Sequence, residues 1–231
     1  MLAIILAGGL GTRLRPLTFR IPKALLPLHG KPILASILES LDRAGIDKFN
    51  IVVGPMGKKI ISYFESTKYR IEYSWQKEPL GTADALRYAE LPDSDFLVSA
   101  SDCLFSVDYL KEFLEFHSTG EITLALKTMS RNEIISSSTV EMDDGRVRRI
   151  IEKPSENEIL SLVACAPLYI FPPESKEYIF KVEKSKRGEY EIAQVIQNML
   201  DDGFIARGLL TEKWEHLSTL DDFRKLNPTK I

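Results

Sequence analysis

The first half of the chain alternates apolar runs of strand length with stretches whose apolar positions recur at the helical period. The runs predicted as strands are LAIILA, FNIVVG, IEYSWQ and DFLVSA. The stretches predicted as helices are ILASILESLDRAG, KKIISYFEST and TADALRYAEL. This alternation predicts an α/β fold with a mostly parallel sheet flanked by helices. Ligands of such sheets bind beyond the carboxyl ends of the strands, so we expect the site at that edge.

The pattern changes after the apolar run EITLALKT. The segment TVEMDDGRVRRIIEKP predicts two strands joined by a turn at Asp144 and Gly145, as a hairpin insertion or an antiparallel edge. A further buried strand is predicted at LVACAPLYIF, followed by a helix in GEYEIAQVIQNML and an apolar run at FIARGLL. Since no internal repeat or flexible linker interrupts the chain, we expect residues 1–231 to form a single domain.

The first predicted strand runs directly into a loop that is rich in glycine and positive charge. Gly8, Gly9 and Gly11 follow the strand, and Arg13 and Lys23 come soon after. Glycines let backbone N–H groups approach a phosphate, and nearby cations favour an anion. The glycine spacing matches neither the dinucleotide fingerprint nor the Walker loop. We therefore expect a phosphate site of another kind, with a tight surface turn as the alternative.

Composition excludes several classes of function. The chain has 30 Lys and Arg against 33 Asp and Glu, a net charge of −3, so no general basic surface suggests nucleic acid or a membrane. The start MLAIILAGG lacks the basic region and the length of a signal peptide, which favours a cytoplasmic location. Cys103 and Cys165 are too far apart for a CxxC unit, and we expect both to be buried thiols.

The stretch LAGGLGTRLRPLT, followed by PKALLPL, closely resembles the signature of the sugar-phosphate nucleotidyltransferases. That family makes nucleotide sugars from a nucleoside triphosphate and a sugar 1-phosphate. The resemblance implies a Rossmann-like mixed sheet of the nucleotide-diphospho-sugar transferase type. Since the given sequence ends at Ile231, we expect no C-terminal β-helix domain of the kind that some relatives have. The resemblance assigns Arg13 to the triphosphate and Lys23 to phosphate at the reacting centre. The implied nucleotide-binding residues in this part are Leu6, Ala7, Gly8, Gly9, Gly11, Thr12 and Arg13.

The segment WQKEPLGTADAL resembles the base- and sugar-contacting segment of the same family. The family position that faces the base is Gln76 here, and Gly81 and Thr82 would lie against the nucleoside. A primary amide can donate and accept, which suits the N3–H and O4 edge of uracil or thymine and favours UTP or dTTP. A mannose-1-phosphate guanylyltransferase using GTP is the alternative, because EPLGTA also resembles that branch. For Gln76 alone, a solvated strand-end role is the alternative.

A metal site is implied by two further stretches. FLVSASDC ends a predicted strand in Asp102, where the family has its catalytic metal aspartate, although a turn or helix cap is the alternative. Near the C-terminus the family often reads Trp-x-Asp-x-Gly-Thr, its aspartate being the second metal ligand. This chain has His216 in that place and Ser218 for the glycine. We expect Mg²⁺, with Mn²⁺ or another transition ion as the alternative because imidazole suits softer ions, and a packed histidine as the alternative to a ligand.

The sugar phosphate is assigned by the same resemblance to the motif IIEKP. Glu152 would contact sugar hydroxyls and Lys153 the phosphate, with an exposed surface ion pair as the alternative. The family motif Asn-x-Gly-x-Tyr is CAPLY here, so Cys165 and Pro167 stand at the sugar pocket. These departures leave open a regulatory paralogue that binds nucleotide with weakened turnover. The sugar and the oligomeric state, homo-oligomers included, stay open as well.

Overall fold

The computed structural model describes residues 1–211 and 214–228. The strands are β1 Leu2–Ala7, β2 Pro27–Leu28, β3 Lys31–Pro32, β4 Lys48–Val53, β5 Arg70–Trp75, β6 Phe96–Ala100, β7 Cys103–Phe105, β8 Ile122–Thr128, β9 Ser138–Asp143, β10 Arg146–Glu152, β11 Val163–Phe171, β12 Ala206–Leu210 and β13 Trp214–His216. The helices are α1 Ile33–Arg43, α2 Gly57–Phe64, α3 Thr82–Tyr88, α4 Val107–Phe116, α5 Arg131–Ile134, α6 Ser175–Lys181, α7 Ile192–Asp201 and α8 Leu220–Leu226. Among these helices, none has the length and apolar character needed to cross a membrane.

Nine strands of the described chain form one sheet in the order β5-β4-β1-β6-β11-β8-β12-β10-β9. The pairs β5/β4, β4/β1, β1/β6 and β8/β12 are parallel, and the other four pairs are antiparallel. Because only β10 and β11 run against the rest, seven of these nine strands share one direction. The predicted mixed, mostly parallel sheet with flanking helices is confirmed, and the predicted hairpin forms its β10-β9 edge.

The main sheet is covered by helices on both faces, which explains why β1 is apolar along its whole length. Successive residues of a strand point to opposite faces, and those of β1 belong to two different apolar clusters. Ile5 packs in one cluster with Leu34 of α1. Ile4 packs in the other with Leu86 of α3 and Val195 of α7. All five of these side chains are fully buried, so the sheet is packed tightly between the two layers.

A small antiparallel pair lies beside the main sheet and was not predicted. Strand β13 pairs with β7, and this pairing places His216 opposite Cys103. The backbone N–H of Leu217 then donates to the carbonyl of Asp102 at 2.9 Å. The segment that follows β13 is thereby fixed next to the end of β6, although the two are more than a hundred positions apart in the sequence.

Candidate active site

A cleft of about 410 Å³ opens where β1, β5 and β6 end. The carboxyl ends of these parallel strands share one edge of the sheet, which is where the sequence predicts the site. The predicted site residues that line the cleft are Leu6, Ala7, Gly8, Gly9, Gly11, Thr12, Arg13, Lys23, Gln76, Gly81, Thr82 and Asp102. Glu152, Lys153, Cys165 and His216 lie outside its wall.

The glycine loop after β1 is shaped by two close approaches. A Cβ built on Gly8 would lie 2.5 Å from Gln76 Oε1, so only glycine leaves room for that side chain. Gly11 has a φ of 61°, and its carbonyl accepts a hydrogen bond of 2.7 Å from the Thr18 hydroxyl. The loop then enters a 3₁₀ turn that carries Arg13. Nothing in the described part of the chain pairs with Arg13, so its charge faces the cleft without an internal counterion.

Lys23 and Asp102 form an ion pair in the wall of the cleft. Lys23 Nζ lies 2.5 Å from Asp102 Oδ2, and both side chains are mostly buried. His216 Nε2 lies 3.6 Å from the same carboxylate oxygen. Burial alone would raise the pKa of Asp102, but the Lys23 charge and His216 overcome it and hold that pKa well below its usual value. Asp102 is therefore an ionised carboxylate, as a metal ligand must be.

Asp102, Cys103 and His216 present ligand atoms that all lie within 4.8 Å of one another. Burial, together with the Asp102 carboxylate, raises the pKa of the Cys103 thiol well above its ordinary value. The protonated thiol donates to Asp102 Oδ1 at 3.3 Å, which makes it a poor metal ligand. The ring of His216 stacks on Trp214 with centroids 5.2 Å apart and an angle of 6° between the planes. An oxygen from Asp102 and a nitrogen from His216 are thus held side by side.

Gln76 is buried, with 4% of its surface exposed, so the solvated alternative for this residue is wrong. Its Nε2 donates to Asp84 Oδ2 at 2.8 Å and to the carbonyl of Gly81 at 3.3 Å. Its backbone N–H donates to Val53 at the end of β4. The residue is therefore held through its backbone and through its amide nitrogen, in the wall of the cleft that the glycine loop also lines.

The segment before α7 closes the side of the cleft that Gln76 and Gly81 line. Tyr190 N donates to the Leu80 carbonyl at 2.8 Å, and Ala83 N donates to the Tyr190 carbonyl at 3.0 Å. A Cβ on Gly81 would lie 2.2 Å from the Tyr190 carbonyl oxygen, and its φ of 124° also favours glycine. The Thr82 hydroxyl accepts from the backbone N–H of Ile192 at 3.1 Å, so it satisfies the start of α7 and not of its own helix.

Glu152 and Lys153 lie at the end of β10, beside the cleft. Burial raises the pKa of Glu152 to about 7, with Lys153 opposing and Glu191 reinforcing that shift. The backbone carbonyl of Glu152 accepts from Arg187 Nη1 at 3.1 Å, and Arg187 forms an ion pair with Glu191. Glu152 thus has a half-buried carboxyl, and its backbone is bonded to the segment before α7. This arrangement differs from the simple surface ion pair that the sequence left open.

Cys165 is packed inside the apolar cluster that covers one face of the sheet. Its thiol lies 3.3 Å from the carbonyl of Ala166, and its backbone N–H donates to the Ser138 hydroxyl at 2.9 Å. Burial raises the pKa of this thiol far above its ordinary value, so the thiol stays protonated. Both cysteines are buried free thiols, as the sequence predicts. The structure does not bring Cys165 into the cleft wall.

Three polar residues of the cleft wall were not assigned to the site from the sequence, namely Ser101, Glu189 and Ser218. Glu189 lies in GEYEIAQ, whose apolar spacing predicts only the start of a helix, although its acidic residues before that apolar pattern are a signal. Ser218 is 5% exposed, and its hydroxyl has no hydrogen-bond partner in the described residues. Its signal was the replacement of the family's glycine by a residue with a hydroxyl.

Comparison with known proteins places the chain in a family. A family model described as Nucleotidyl transferase matches residues 2–230. The low-salt glycan biosynthesis nucleotidyltransferase Agl11 of Haloferax volcanii is 32% identical over 222 residues, which cover 93% of this chain and 61% of that protein. The UTP–glucose-1-phosphate uridylyltransferase AglF of the same organism is also 32% identical over 222 residues, covering 93% of this chain and 89% of that protein. The chain therefore belongs to the sugar-phosphate nucleotidyltransferase family.

The fold is shared with a solved structure as well. The structure of UDP-glucose pyrophosphorylase complexed with UDP-glucose superimposes with a TM-score of 0.86 at 21% sequence identity, covering 97% of this chain and 96% of that chain. This likeness shows the nucleotide-diphospho-sugar transferase fold. The chain spans about half to two thirds of the length of most of the first curated relatives it matches.

Proposed function

We propose that the chain transfers a nucleotidyl group from a nucleoside triphosphate to a sugar 1-phosphate, which yields a nucleotide sugar and pyrophosphate. The observation that carries this proposal is the single cleft in which the glycine loop, Arg13, Lys23 and Asp102 meet. The backbone N–H groups of the glycine loop and the cations Arg13 and Lys23 suit a triphosphate. The ionised carboxylate of Asp102 suits the divalent cation that accompanies a triphosphate.

UTP or dTTP is the favoured nucleotide. Gln76 lines the cleft next to Gly81, as a base-facing residue should, and its Oε1 can accept the N3–H of uracil or thymine. The relative AglF is named for UTP, which supports the same choice. GTP with mannose 1-phosphate is the alternative, because the guanine N1–H can also donate to an amide oxygen.

The sugar 1-phosphate is assigned to the side of the cleft that Glu189 lines, next to Glu152 and Lys153. A carboxyl beside an ammonium suits a ligand with hydroxyls at one end and phosphate at the other. Cys165 would shape this pocket from within the sheet by its bulk, since its thiol offers little hydrogen bonding.

The residues present fit a divalent cation, because an ionised carboxylate and an imidazole nitrogen lie 3.6 Å apart. Asp102 and His216 would hold the ion, as the sequence predicts. One oxygen and one nitrogen suit Mn²⁺ or another transition ion better than an all-oxygen set would, while Mg²⁺ could rely on Asp102 and phosphate oxygens. When bound, such an ion withdraws negative charge from phosphate oxygens.

The reaction needs no protein nucleophile. A phosphate oxygen of the sugar 1-phosphate forms a bond to the α-phosphorus, and the bond from that phosphorus to the bridging oxygen of pyrophosphate breaks. The electron pair of the broken bond leaves with pyrophosphate. Arg13 and Lys23 neutralise the charge that builds on these oxygens, and Lys153 positions the attacking phosphate. Asp102 holds the Lys23 ammonium at the cleft wall before substrate arrives.

The test is pyrophosphate release with UTP, dTTP, CTP, GTP and ATP, each against glucose, mannose, galactose and N-acetylglucosamine 1-phosphates. Mg²⁺ and Mn²⁺ are compared in parallel. Turnover with a single pair identifies both substrates. Release of inorganic phosphate in place of pyrophosphate would contradict the proposal.

A regulatory paralogue is the second candidate, favoured by the altered CAPLY and WEHLST stretches. In the structure Cys165 is buried, and His216 stands where the family has an oxygen ligand. Such a protein binds nucleotide but releases no pyrophosphate under any metal. Nucleotide titration alongside the turnover panel therefore separates the two candidates.

A further inference from the structure

Gln76 forms a hydrogen bond with a second buried polar residue, Asp84. The Asp84 carboxylate lies in the first turn of α3 and is 5% exposed, and Gln76 Nε2 donates to it at 2.8 Å. Gln76 lines the cleft next to Gly81, on the side that the proposed function assigns to the base. The role that we infer for this pair, in the choice of nucleotide, therefore rests on the proposed function.

The chemistry of its neighbours fixes which way the Gln76 amide points. The two groups near its Nε2 are the Asp84 carboxylate and the Gly81 carbonyl, and both are acceptors. An amide turned by 180° would place its own oxygen against these two acceptors, which is repulsive. The NH₂ group therefore faces Asp84, and Oε1 faces the glycine loop, where a Cβ on Gly8 would be only 2.5 Å away.

This orientation leaves Gln76 a pure acceptor toward a ligand. In the described part of the chain no group donates to Oε1, whereas its Nε2 already donates to two acceptors. A fixed acceptor pairs with a ring N–H, which uracil and thymine have at N3 and guanine has at N1. Cytosine N3 and adenine N1 carry a lone pair instead, so each would oppose the amide oxygen.

We propose that Asp84 is a positioning residue that locks Gln76 as an acceptor and so excludes cytosine and adenine nucleotides. Asp84 does not touch the base. Its carboxylate disfavours the Gln76 amide rotated by 180°, in which the NH₂ group could donate to cytosine N3. Choice among uracil, thymine and guanine is left to the size of the cleft.

The variant Asp84→Asn tests the lock, because it keeps the shape of the side chain. An asparagine can offer either its oxygen or its NH₂ to residue 76, so both orientations of Gln76 become available. We expect the ratio of the CTP to the UTP dissociation constant to fall roughly tenfold. This is the effect of replacing the repulsion between two facing acceptors by one buried hydrogen bond. Asp108→Asn is the matched control, since Asp108 also lies in the first turn of a helix, outside the cleft wall.

The measurement is calorimetric titration of the full chain with UTP, CTP, GTP and ATP in Mg²⁺, without sugar phosphate. A ratio unchanged in Asp84→Asn would overturn the inference. Should that variant not fold, UTP is compared with N3-methyl-UTP on the unaltered chain. Loss of binding on methylation supports an acceptor at this position, and equal binding overturns it.

The outcome for the unaltered chain also separates this inference from the proposed function. If it binds none of the triphosphates, the proposed function fails and the inference with it. If it binds CTP as tightly as UTP, the inference alone fails. Tight UTP binding with weak CTP binding, relaxed only in Asp84→Asn, supports both.

Discussion

Lys23 Nζ and Asp102 Oδ2 lie 2.5 Å apart, although 79 positions separate the two residues in the sequence. The ion pair joins the loop after β1 to the end of β6, at the point where the proposed reaction takes place. It holds an ammonium and an ionised carboxylate in the same cleft wall, where the proposed function assigns the first to phosphate and the second to a divalent cation.

Lys23→Ala is expected to lose most turnover while the fold stays intact. The loss should be about 10²–10³-fold in kcat, the size found when one preorganised group that stabilises transition-state charge is removed. Lys31→Ala is the control, because Lys31 forms an exposed ion pair with Glu39 away from the cleft. Steady-state kinetics with a circular dichroism spectrum of each variant checks this, and near-normal kcat in Lys23→Ala would contradict the assigned role.

His216→Asp is expected to lower the ratio of activity with Mn²⁺ to activity with Mg²⁺. The substitution replaces an imidazole nitrogen by a carboxylate oxygen next to Asp102, and Mg²⁺ prefers oxygen. Manganese binding followed by electron paramagnetic resonance gives a readout that does not depend on turnover. His29→Asn serves as control, since His29 pairs with Glu215 at the surface. An unchanged metal preference would show that His216 is only packed against Trp214.

Gly8→Ala is expected to destabilise the protein, whereas Gly9→Ala is not. A methyl group at Gly8 would meet Gln76 Oε1 at 2.5 Å, and Gln76 is held by Asp84 and cannot move away freely. At Gly9 the same methyl group meets nothing within 4 Å. The free energy of unfolding should fall by about 1–3 kcal/mol for Gly8→Ala, as for other overpacked sites. Urea denaturation without ligand measures both, and equal stability of the two variants would rule out this close approach.

Glu152 should make the protein less stable as the pH rises from about 4.5 to about 7. Its ordinary pKa of 4.5 is raised to about 7 in the folded state by burial. Between these values the folded protein keeps a proton that the unfolded chain releases, so stability falls across this window and stays lower above it. Glu152→Gln should remove this part of the pH dependence, and Glu141→Gln, at an exposed position of β9, should keep it. Urea denaturation of the three proteins at several pH values provides the check.

The sequence predicted the long elements well because their signals are local. The run LAIILA coincides with β1, and the turn at Asp144 and Gly145 joins β9 to β10. Strands β7 and β13 have three residues each, too few to show a period, and they exist only because they pair with each other. The fold class therefore followed from hydrophobic pattern, whereas the small pair that positions His216 did not.

The residues of the candidate site also divide into those with a local sequence signal and those without one. The glycine loop and the strand-end aspartate could be predicted because they are contiguous residues at the end of a predicted strand. The hydrogen bond between Gln76 and Asp84 could not be predicted, because the sequence of a helix does not show which distant residue a side chain contacts. This contact also limits a test of the proposed base contact by Gln76→Glu. A glutamate at position 76 would face the Asp84 carboxylate, so that substitution would test like-charge repulsion as well as base choice.

The most direct test of the central claim follows two labels of the triphosphate separately. The chain is incubated with a sugar 1-phosphate and UTP or dTTP carrying radioactive phosphorus at either the α or the γ position. The account predicts that the α label appears in the nucleotide sugar and the γ label in pyrophosphate. Release of the γ label as inorganic phosphate, or binding of the nucleotide with neither label transferred, would contradict it.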